Sequence, residues 1–402
     1  MDVTVVLPCL DEEKSVGLCV AEAQAAFGSA GLVGEVLVVD NGSTDSTLSV
    51  ASAAGARVIC ESRRGYGNAL RAGIEGAWGD VVVMADADFT YDLSLIPQLV
   101  APVMSGKADM TVAARLRGAT RRTMPFLHRF VGTPILTMLV RRAAGGDLGI
   151  SDSQSGYRAF HRRRVGELGL RSTGMEFASE LLIKAARRGW RIEEIQGSYR
   201  ERIGRSKLNT FQDGLRHLGL IIQLAPDLIL LGPGALLAFF GLLASLWTLV
   251  QPAGVPLGSL RWQPVFFSSI CLLLGVQALI AGGLLAHTSA VASTSSGSWL
   301  QIVRSPRFPL ISQRIGVGSI VAGLLIDLAM LVRWVSGAPA PSNGTAVAGV
   351  AQSLLLVGGT LLLFGFVARL IFLQRRQYDG ISSLWREPAR PEPAIETLRN
   401  SA

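Results

Sequence analysis

The run Val81-Val82-Val83-Met84-Ala85-Asp86-Ala87-Asp88 is an apolar stretch that ends in two carboxylates one residue apart. A buried strand of this kind delivers acidic side chains at its C-terminal edge, where open α/β sheets keep their ligand crevices. Side chains at i and i+2 of an extended segment point to the same side. Asp86 and Asp88 are therefore placed to share one cation, or to divide between a ribose and a metal. Hard carboxylate oxygens suit Mg2+ or Mn2+, ions that bridge to substrate phosphates. A lone pair of this spacing also fits an Asp-rich turn with no chemistry, so the surrounding elements decide between the two.

Those elements read as strands alternating with helices. Val3–Leu7, closed by Pro8, is the first strand, and a helical pattern opens at Asp11-Glu12-Glu13. Glu35–Val39 is the second, followed by Asp40-Asn41-Gly42-Ser43-Thr44-Asp45, in which Gly42 permits a tight turn and Ser43 or Thr44 caps the next helix. Arg57–Cys60, Val81–Ala85 and Met110–Ala113 are the third, fourth and fifth, with Gly65-Tyr66-Gly67-Asn68 leading into a helix after the third. Such alternation predicts an α/β domain with a mainly parallel sheet covered on both faces. Asp11, Asp40 and Asp86 then stand at one sheet edge, which turns three ordinary turn residues into a site. No G-x-G-x-x-G follows the first strand, and no Gly-rich loop ends in Lys-Ser or Lys-Thr. Dinucleotide-binding and P-loop readings are thereby disfavoured, and a nucleotide diphosphate held through an ion is favoured.

The chain has 402 residues, a formal net charge of +8 and 49% hydrophobic residues. The apolar content is concentrated beyond about Leu220. Four segments there approach or exceed the roughly 20 residues needed to cross a bilayer: Leu228–Val250, Val265–Ala286, Ile315–Trp334 and Val347–Leu373. Asp327 in the third is costly in lipid and is expected to face other helices, water or an interface. Arg304, Arg307 and Arg314 follow the second span, and Arg375 and Arg376 follow the fourth. The positive-inside bias then puts the N-terminal domain, the middle loop and the tail in the cytoplasm. The start, Met1-Asp2-Val3-Thr4, has no basic region and reads as the first strand rather than a signal peptide. Cys9, Cys19, Cys60 and Cys271 have neither metal-ligand spacing nor a disulfide pattern, which fits a reducing compartment.

Between the halves, Leu208, Phe211, Leu215, Leu218 and Ile222 recur at helical spacing, opposed by Gln212, Asp213 and Arg216. This predicts an amphipathic helix lying in the headgroup plane, with packing against the catalytic domain as the alternative. The expected domains are 1–207 for the cytoplasmic catalytic part, 208–227 for the interfacial helix and linker, 228–373 for the spans, and 374–402 for a disordered tail. Thr288–Ser298, rich in Ser, Thr and Gly, reads as a flexible part of the middle loop. The stretch Arg115–Arg164 is crowded with arginine, most of it suited to a solvated face against anionic lipid headgroups. A nucleic-acid partner is disfavoured by the spans and by the acidic sheet edge.

Several stretches resemble inverting nucleotide-sugar glycosyltransferases of the GT-A fold: Leu7-Pro8-Cys9-Leu10-Asp11-Glu12-Glu13, Val38–Asp45 and Asp86-Ala87-Asp88. Asp152-Ser153-Gln154-Ser155-Gly156-Tyr157-Arg158, Met175-Glu176-Phe177 and Arg202-Ile203-Gly204-Arg205-Ser206-Lys207-Leu208 are similar to the polyprenyl-phosphate branch, the dolichol-phosphate mannose and glucose synthases and their bacterial relatives. The resemblance spans about Val3–Leu220 and implies the following roles. Pro8, Asp11, Glu12 and Asp40 would hold base and ribose; Asp86 would hold the ribose–diphosphate region; Asp88 would be the main ligand of Mg2+ or Mn2+, with Asp86 assisting. Asp152 would stand near the acceptor, and Arg158, Arg202, Arg205, Ser206 and Lys207 would meet phosphates; Asp88, Asp152 and Arg158 form the catalytic set. This chain has Thr90 where relatives often carry Gln, and Leu10-Asp11-Glu12 where they carry Tyr-Asn-Glu.

The implied reaction moves one hexose, mannose or glucose, from a nucleotide-diphosphate sugar to undecaprenyl or dolichyl phosphate at the cytoplasmic membrane face. A phosphate acceptor is already anionic and needs little or no general base. Its difficulties are leaving-group charge, which a divalent ion relieves, and the approach of two anions, which guanidinium groups relieve. Two other readings remain open: a processive polysaccharide synthase, whose Gln-x-x-Arg-Trp signature is absent, and a non-catalytic nucleotide-sugar-binding membrane protein.

Overall fold

The valine-rich runs become strands because each can bury both of its faces. In β1 (Val3–Cys9), Val3, Val5 and Leu7 enter one apolar cluster while Val6 enters the other. β2 (Gly34–Asp40) splits in the same way, with Val36 and Val38 on one side and Leu37 and Val39 on the other. This period of two is the signature of a sheet covered on both sides. The covering helices are α1 (Val16–Ala30), α2 (Thr47–Ala53), α3 (Tyr66–Gly76), α4 (Ile96–Met104), α5 (Thr133–Ala144), the single turn α6 (Arg162–Val165), α7 (Phe177–Arg187) and α8 (Thr210–Leu224).

The computed structural model describes residues 1–115, 126, 128–204, 210–251, 255–257, 260–288, 305, 307–339 and 341–384. The described residues fall into two compact units that divide after Ile229. The first holds a seven-stranded sheet in the order β3-β2-β1-β4-β6-β5-β7, where β3 is Arg57–Cys60, β4 Val81–Met84, β5 Met110–Ala114, β6 Arg158–His161 and β7 Ile192–Gln196. The β1–β2, β1–β4, β2–β3 and β5–β7 pairs are parallel, so the sheet is mainly parallel as expected. Two strands of this sheet, β6 and β7, were not expected from the sequence. β6 runs antiparallel to both β4 and β5. Neither Arg-Ala-Phe-His nor Ile-Glu-Glu-Ile-Gln has enough apolar residues or clean alternation to announce a strand.

Register fixes the site. Cys9 pairs with Asp40 and Val6 with Met84, so the turns carrying Asp11, Asp40 and Asp86 emerge at one edge of the sheet. α8 belongs to this unit. His217, Leu220, Ile221, Leu224 and Ala225 are buried, and the four apolar ones join the cluster built on Phe177 and Leu181. The stripe predicted to lie in headgroups is a different face of the same helix, on which Leu215 is 52% exposed. The helix therefore packs on the first unit, with Leu218 and Ile222 half-buried and Leu215 exposed.

The second unit contains α9 (Gly232–Val250), a short hairpin of β8 (Val255–Leu257) and β9 (Leu260–Trp262), α10 (Pro264–Thr288), α11 (Phe308–Val335) and α12 (Gly344–Leu384). Among the described residues, four stretches are long and apolar enough to cross a membrane: Leu228–Val250, Pro264–Leu285, Phe308–Val335 and Gly344–Ile371. The third and fourth begin earlier than the sequence suggested. Gly316 and Gly358 let α11 and α12 meet backbone to backbone, since a Cβ on either would come within 2.7–2.8 Å of the other's carbonyl oxygen. Small residues serve this purpose in lipid, where packing has to replace hydrophobic drive. Asp327 accepts a hydrogen bond from Gln352 Nε2 at 3.3 Å across the same pair, consistent with a carboxylate turned toward a neighbouring helix. The tail expected to be disordered from 374 is helical as far as Leu384, because the last helix runs on past the apolar span; positions 289–304 and 385–402 lie outside the described residues.

Candidate active site

At the C-terminal edge of the sheet in the first unit lies a cavity of about 300 Å³. β1 and the turn after it supply Pro8, Cys9, Leu10 and Glu12; the turn after β4 supplies Asp86, Ala87 and Asp88. The turn after β2 adds Asn41, and the turn after β3 adds Arg64, Gly65 and Tyr66. Gly174, Met175, Arg202, Asp213 and Arg216 complete the wall. Five residues singled out from sequence therefore meet in one place: Pro8, Glu12, Asp86, Asp88 and Arg202.

The two carboxylates after β4 are oriented by neighbours that each occupy one oxygen. Tyr66 donates its hydroxyl to Asp86 Oδ1 at 2.8 Å. Thr90 donates both its N–H, at 3.1 Å, and its hydroxyl, at 2.5 Å, to Asp88 Oδ1. Burial, and then the charge of Asp88, pushes the Asp86 carboxyl up to about 6, against the lowering effect of the Tyr66 hydrogen bond. Two close carboxylates in a partly dry pocket are an electrostatic liability that a hard cation removes. Among the described residues no group of three or more His, Cys, Asp or Glu side chains forms a complete metal cage. A pair of carboxylates is nevertheless what Mg2+ or Mn2+ uses when phosphates and waters fill its remaining positions. The donor set fits such an ion: Asp86 and Asp88 each have one oxygen occupied by Tyr66 or Thr90, and the two carboxylates line the same cavity. Thr90 orients Asp88 through its hydrogen bonds.

Arg202 reaches into the same cavity. Its Nη2 donates to Glu12 Oε1 and its Nη1 lies beside Asp88 Oδ2, each at 3.3 Å. The segment carrying it is laced to the turn after β4: Arg200 N–H donates to the Thr90 carbonyl at 2.8 Å and Ile203 N–H to the Asp88 carbonyl at 3.1 Å. An isolated bridge between Tyr91 and Tyr199 extends that pairing.

Other predicted site residues support the cavity from outside it. Asp40 accepts the N–H groups of Gly42 and Ser43 at 3.0–3.2 Å and so shapes the turn. Asp11 has φ 50°, a left-handed conformation that Asp tolerates better than most residues. Its backbone N–H is bonded to Ser43 Oγ at 2.9 Å and its Oδ1 to the Thr44 N–H at 2.7 Å. Asp152 is fully buried and gripped by Arg115 through Nε at 2.7 Å and Nη2 at 3.0 Å. Burial alone would raise its pKa, but the Arg115 charge and these hydrogen bonds hold it below the usual range.

Arg158 departs furthest from expectation. It is fully buried, and its guanidinium donates to three main-chain carbonyls: Ser155 at 2.9 Å, Ala178 at 2.5 Å and Ser153 at 2.8 Å. Burial pushes it down to about 10, so it stays protonated at neutral pH. Its donors fasten the 153–157 loop to α7 and do not line the cavity. Arg205, Ser206 and Lys207 lie outside the described residues.

Tyr66, Asn41, Met175 and Arg216 entered the site without being assigned a role from sequence. The Gly-Tyr-Gly turn holds their signal. A Cβ at Gly65 or Gly67 would come within 2.3–2.4 Å of the carbonyl oxygens of Thr173 or Ser172, so the glycines let the two cavity loops touch. Asn41 ties the turn after β2 to the next one, donating to the Glu61 and Arg63 carbonyls at 2.8 and 2.9 Å and accepting from Gly65 N–H at 2.7 Å.

The family description "Glycosyl transferase family 2" matches residues 4–168, the part that builds most of this cavity. A low-salt glycan biosynthesis hexosyltransferase of Haloferax volcanii is 34% identical over 90% of this chain and 87% of its own length. A dolichyl-phosphate hexose transferase of the same organism is 33% identical over 53% of this chain and 89% of its own length. Among solved structures, glucosyl-3-phosphoglycerate synthase from Mycobacterium tuberculosis is similar with a TM-score of 0.45 and 25% identity, covering 56% of this chain and 79% of that one. With a relative aligned over 90% of the chain, and the family pattern lying over the carboxylate edge of the sheet, the chain belongs to glycosyl transferase family 2.

Proposed function

We propose that this glycosyltransferase moves one hexose from a nucleotide-diphosphate sugar to a polyprenyl phosphate at the cytoplasmic face of a membrane, with inversion and with the help of Mg2+ or Mn2+. The observation that carries the reading is the meeting in one cavity of two carboxylates just after β4, Asp86 and Asp88, with a guanidinium, Arg202. The carboxylate pair suits a cation-bound diphosphate and the guanidinium suits a phosphate nucleophile. The names of the two Haloferax volcanii relatives support hexose transfer, and one of them supports a dolichyl-phosphate acceptor.

In the proposed step an oxygen of the acceptor phosphate attacks the anomeric carbon from the face opposite the nucleotide. The bond from that carbon to the diphosphate oxygen breaks, and its electron pair leaves with the nucleoside diphosphate. A bound divalent ion would supply Lewis-acid stabilisation of the leaving group. Asp86 and Asp88, each fixed through one oxygen by Tyr66 and Thr90, would hold that ion. Glu12 and Asn41 would bound the nucleoside end of the cavity, and the attacking phosphate needs no side-chain base.

The catalytic unit also has a surface suited to an acceptor that lives in lipid. On α5, Val131, just before the helix, Ile135 and Met138 recur at helical spacing and are 43–49% exposed, and the exposed Arg142 follows one turn later. An apolar stripe ending in arginine fits the boundary between headgroups and acyl chains.

The test is a panel of nucleotide sugars labelled in the hexose, offered with undecaprenyl or dolichyl phosphate. The expected result is label moving into the lipid fraction for one sugar, dependent on added Mg2+ or Mn2+. A chain that binds nucleotide sugar yet labels neither lipid phosphate with any donor would refute the proposal.

A further inference from the structure

Arg202 and the proposed cation want the same oxygen. Thr90 occupies Asp88 Oδ1 with two donors, which leaves Oδ2 outward, and Arg202 Nη1 lies 3.3 Å from that atom. The other arm of the guanidinium is held by Glu12 Oε1, also at 3.3 Å. Its Nε is buried without a hydrogen-bond partner among the described residues, so this position does not satisfy the whole group. The backbone on both sides is pinned to the 88–90 turn, which leaves the side chain as the part free to move.

A divalent ion at Asp88 Oδ2 would stand within a few ångströms of a guanidinium, and two positive charges at that distance in a partly buried site repel strongly. A guanidinium shared between two carboxylates also has little left to offer a phosphate. One released from Asp88 can present its planar fork.

We propose that Arg202 couples the two substrates by exchange: the cation that comes with the nucleotide diphosphate takes Asp88 Oδ2 from Arg202, and the released guanidinium turns to the acceptor phosphate. The inference rests on the reading of Asp86 and Asp88 as the cation site and of a lipid phosphate as acceptor. It goes further in naming the residue through which cation and acceptor phosphate favour each other. Linkage makes the effect reciprocal: the cation strengthens phosphate binding, and the phosphate strengthens cation binding, by the same factor.

The experiment uses the full chain in detergent, Mn2+ as the cation with free Mn2+ read by electron paramagnetic resonance, and farnesyl phosphate as a soluble acceptor. Arg202→Ala should bind Mn2+ roughly fivefold more tightly than wild type, the low end of measured coupling between sites. Farnesyl phosphate should tighten Mn2+ binding to wild type by a similar factor and leave Arg202→Ala unaffected. Arg202→Lys, which keeps the charge, should lie near wild type. A merely structural role for Arg202 predicts weaker Mn2+ binding in both variants, and that result overturns the exchange. So does Mn2+ binding to Arg202→Ala no tighter than to wild type, or a wild type indifferent to farnesyl phosphate. Asp88→Asn separates the two levels. If it loses Mn2+ while Arg202→Ala gains nothing, only the exchange fails. If wild type binds no Mn2+, or Asp88→Asn binds it equally well, the cation site fails and the exchange with it.

Discussion

Replacing Arg158 by Met distinguishes a structural from a phosphate-binding guanidinium. The side chain is fully buried and makes three charge-assisted hydrogen bonds to the carbonyls of Ser153, Ser155 and Ala178. Hydrogen bonds to a charged group contribute about 1.5–3 kcal/mol each, so the three together represent roughly 4–9 kcal/mol. Against this stands the cost of burying the charge. The fall of the group from 12.5 to about 10 corresponds to about 3 kcal/mol. Methionine fills much of the volume but leaves three buried carbonyls unpaired, so the net loss should be about 2–5 kcal/mol. For a domain of this size that lowers the unfolding midpoint by roughly 5–15 °C. The assay is thermal unfolding in detergent followed by tryptophan fluorescence, paired with the acceptor KM of whatever protein remains folded. A variant as stable as wild type but with an acceptor KM raised tenfold or more would refute this assignment and return Arg158 to the phosphate.

Asp88→Asn should nearly abolish transfer while leaving the unfolding midpoint close to wild type, and excess EDTA should do the same to the unaltered chain; full activity in EDTA would end the case for a metal. Asp86→Asn should lose activity yet make the unliganded protein more stable at neutral pH. The folded carboxyl has its pKa raised from 3.8 to about 6, so the folded chain holds its proton longer than the unfolded one. The stability Asp86 contributes is therefore present below pH 3.8 and lost as pH rises toward about 6. Denaturant midpoints measured between pH 4 and 7 should fall more steeply for wild type than for Asp86→Asn, and parallel curves would contradict the assigned shift.

The parts of this protein that were legible in its sequence are those set by local periodicity. Val81–Met84 is apolar at every position, so it had to be a strand buried on both faces, and the polar residues after it had to surface at an edge. The same reasoning placed Asp11 and Asp40 beside Asp86, and hydropathy alone found all four long apolar helices. Family motifs added roles for these positions because the motifs coincide with strand ends.

What the sequence could not reveal depends on which segments meet. Arg158 and Arg202 are the same residue type in similarly basic surroundings. One is sealed against carbonyls because β6 inserts antiparallel between β4 and β5, and the other faces the cavity because its segment is laced to the 88–90 turn. Charge and spacing do not encode burial, so both were natural candidates for a phosphate. α8 shows the same limit. A helix with one apolar stripe predicts one partner, but this helix also buries a second stripe around Leu220 and Leu224, assembled with residues of α7 that are distant in sequence. Tyr66 had no signal of its own; it became an orienting group for Asp86 only when the glycines beside it allowed the Gly65–Gly67 turn to close on Ser172 and Thr173. The strand edge and the spans are short-range consequences of hydrophobic pattern. The assignment of each arginine and of Tyr66 is decided by long-range packing, which determines what dielectric and what partners each side chain meets.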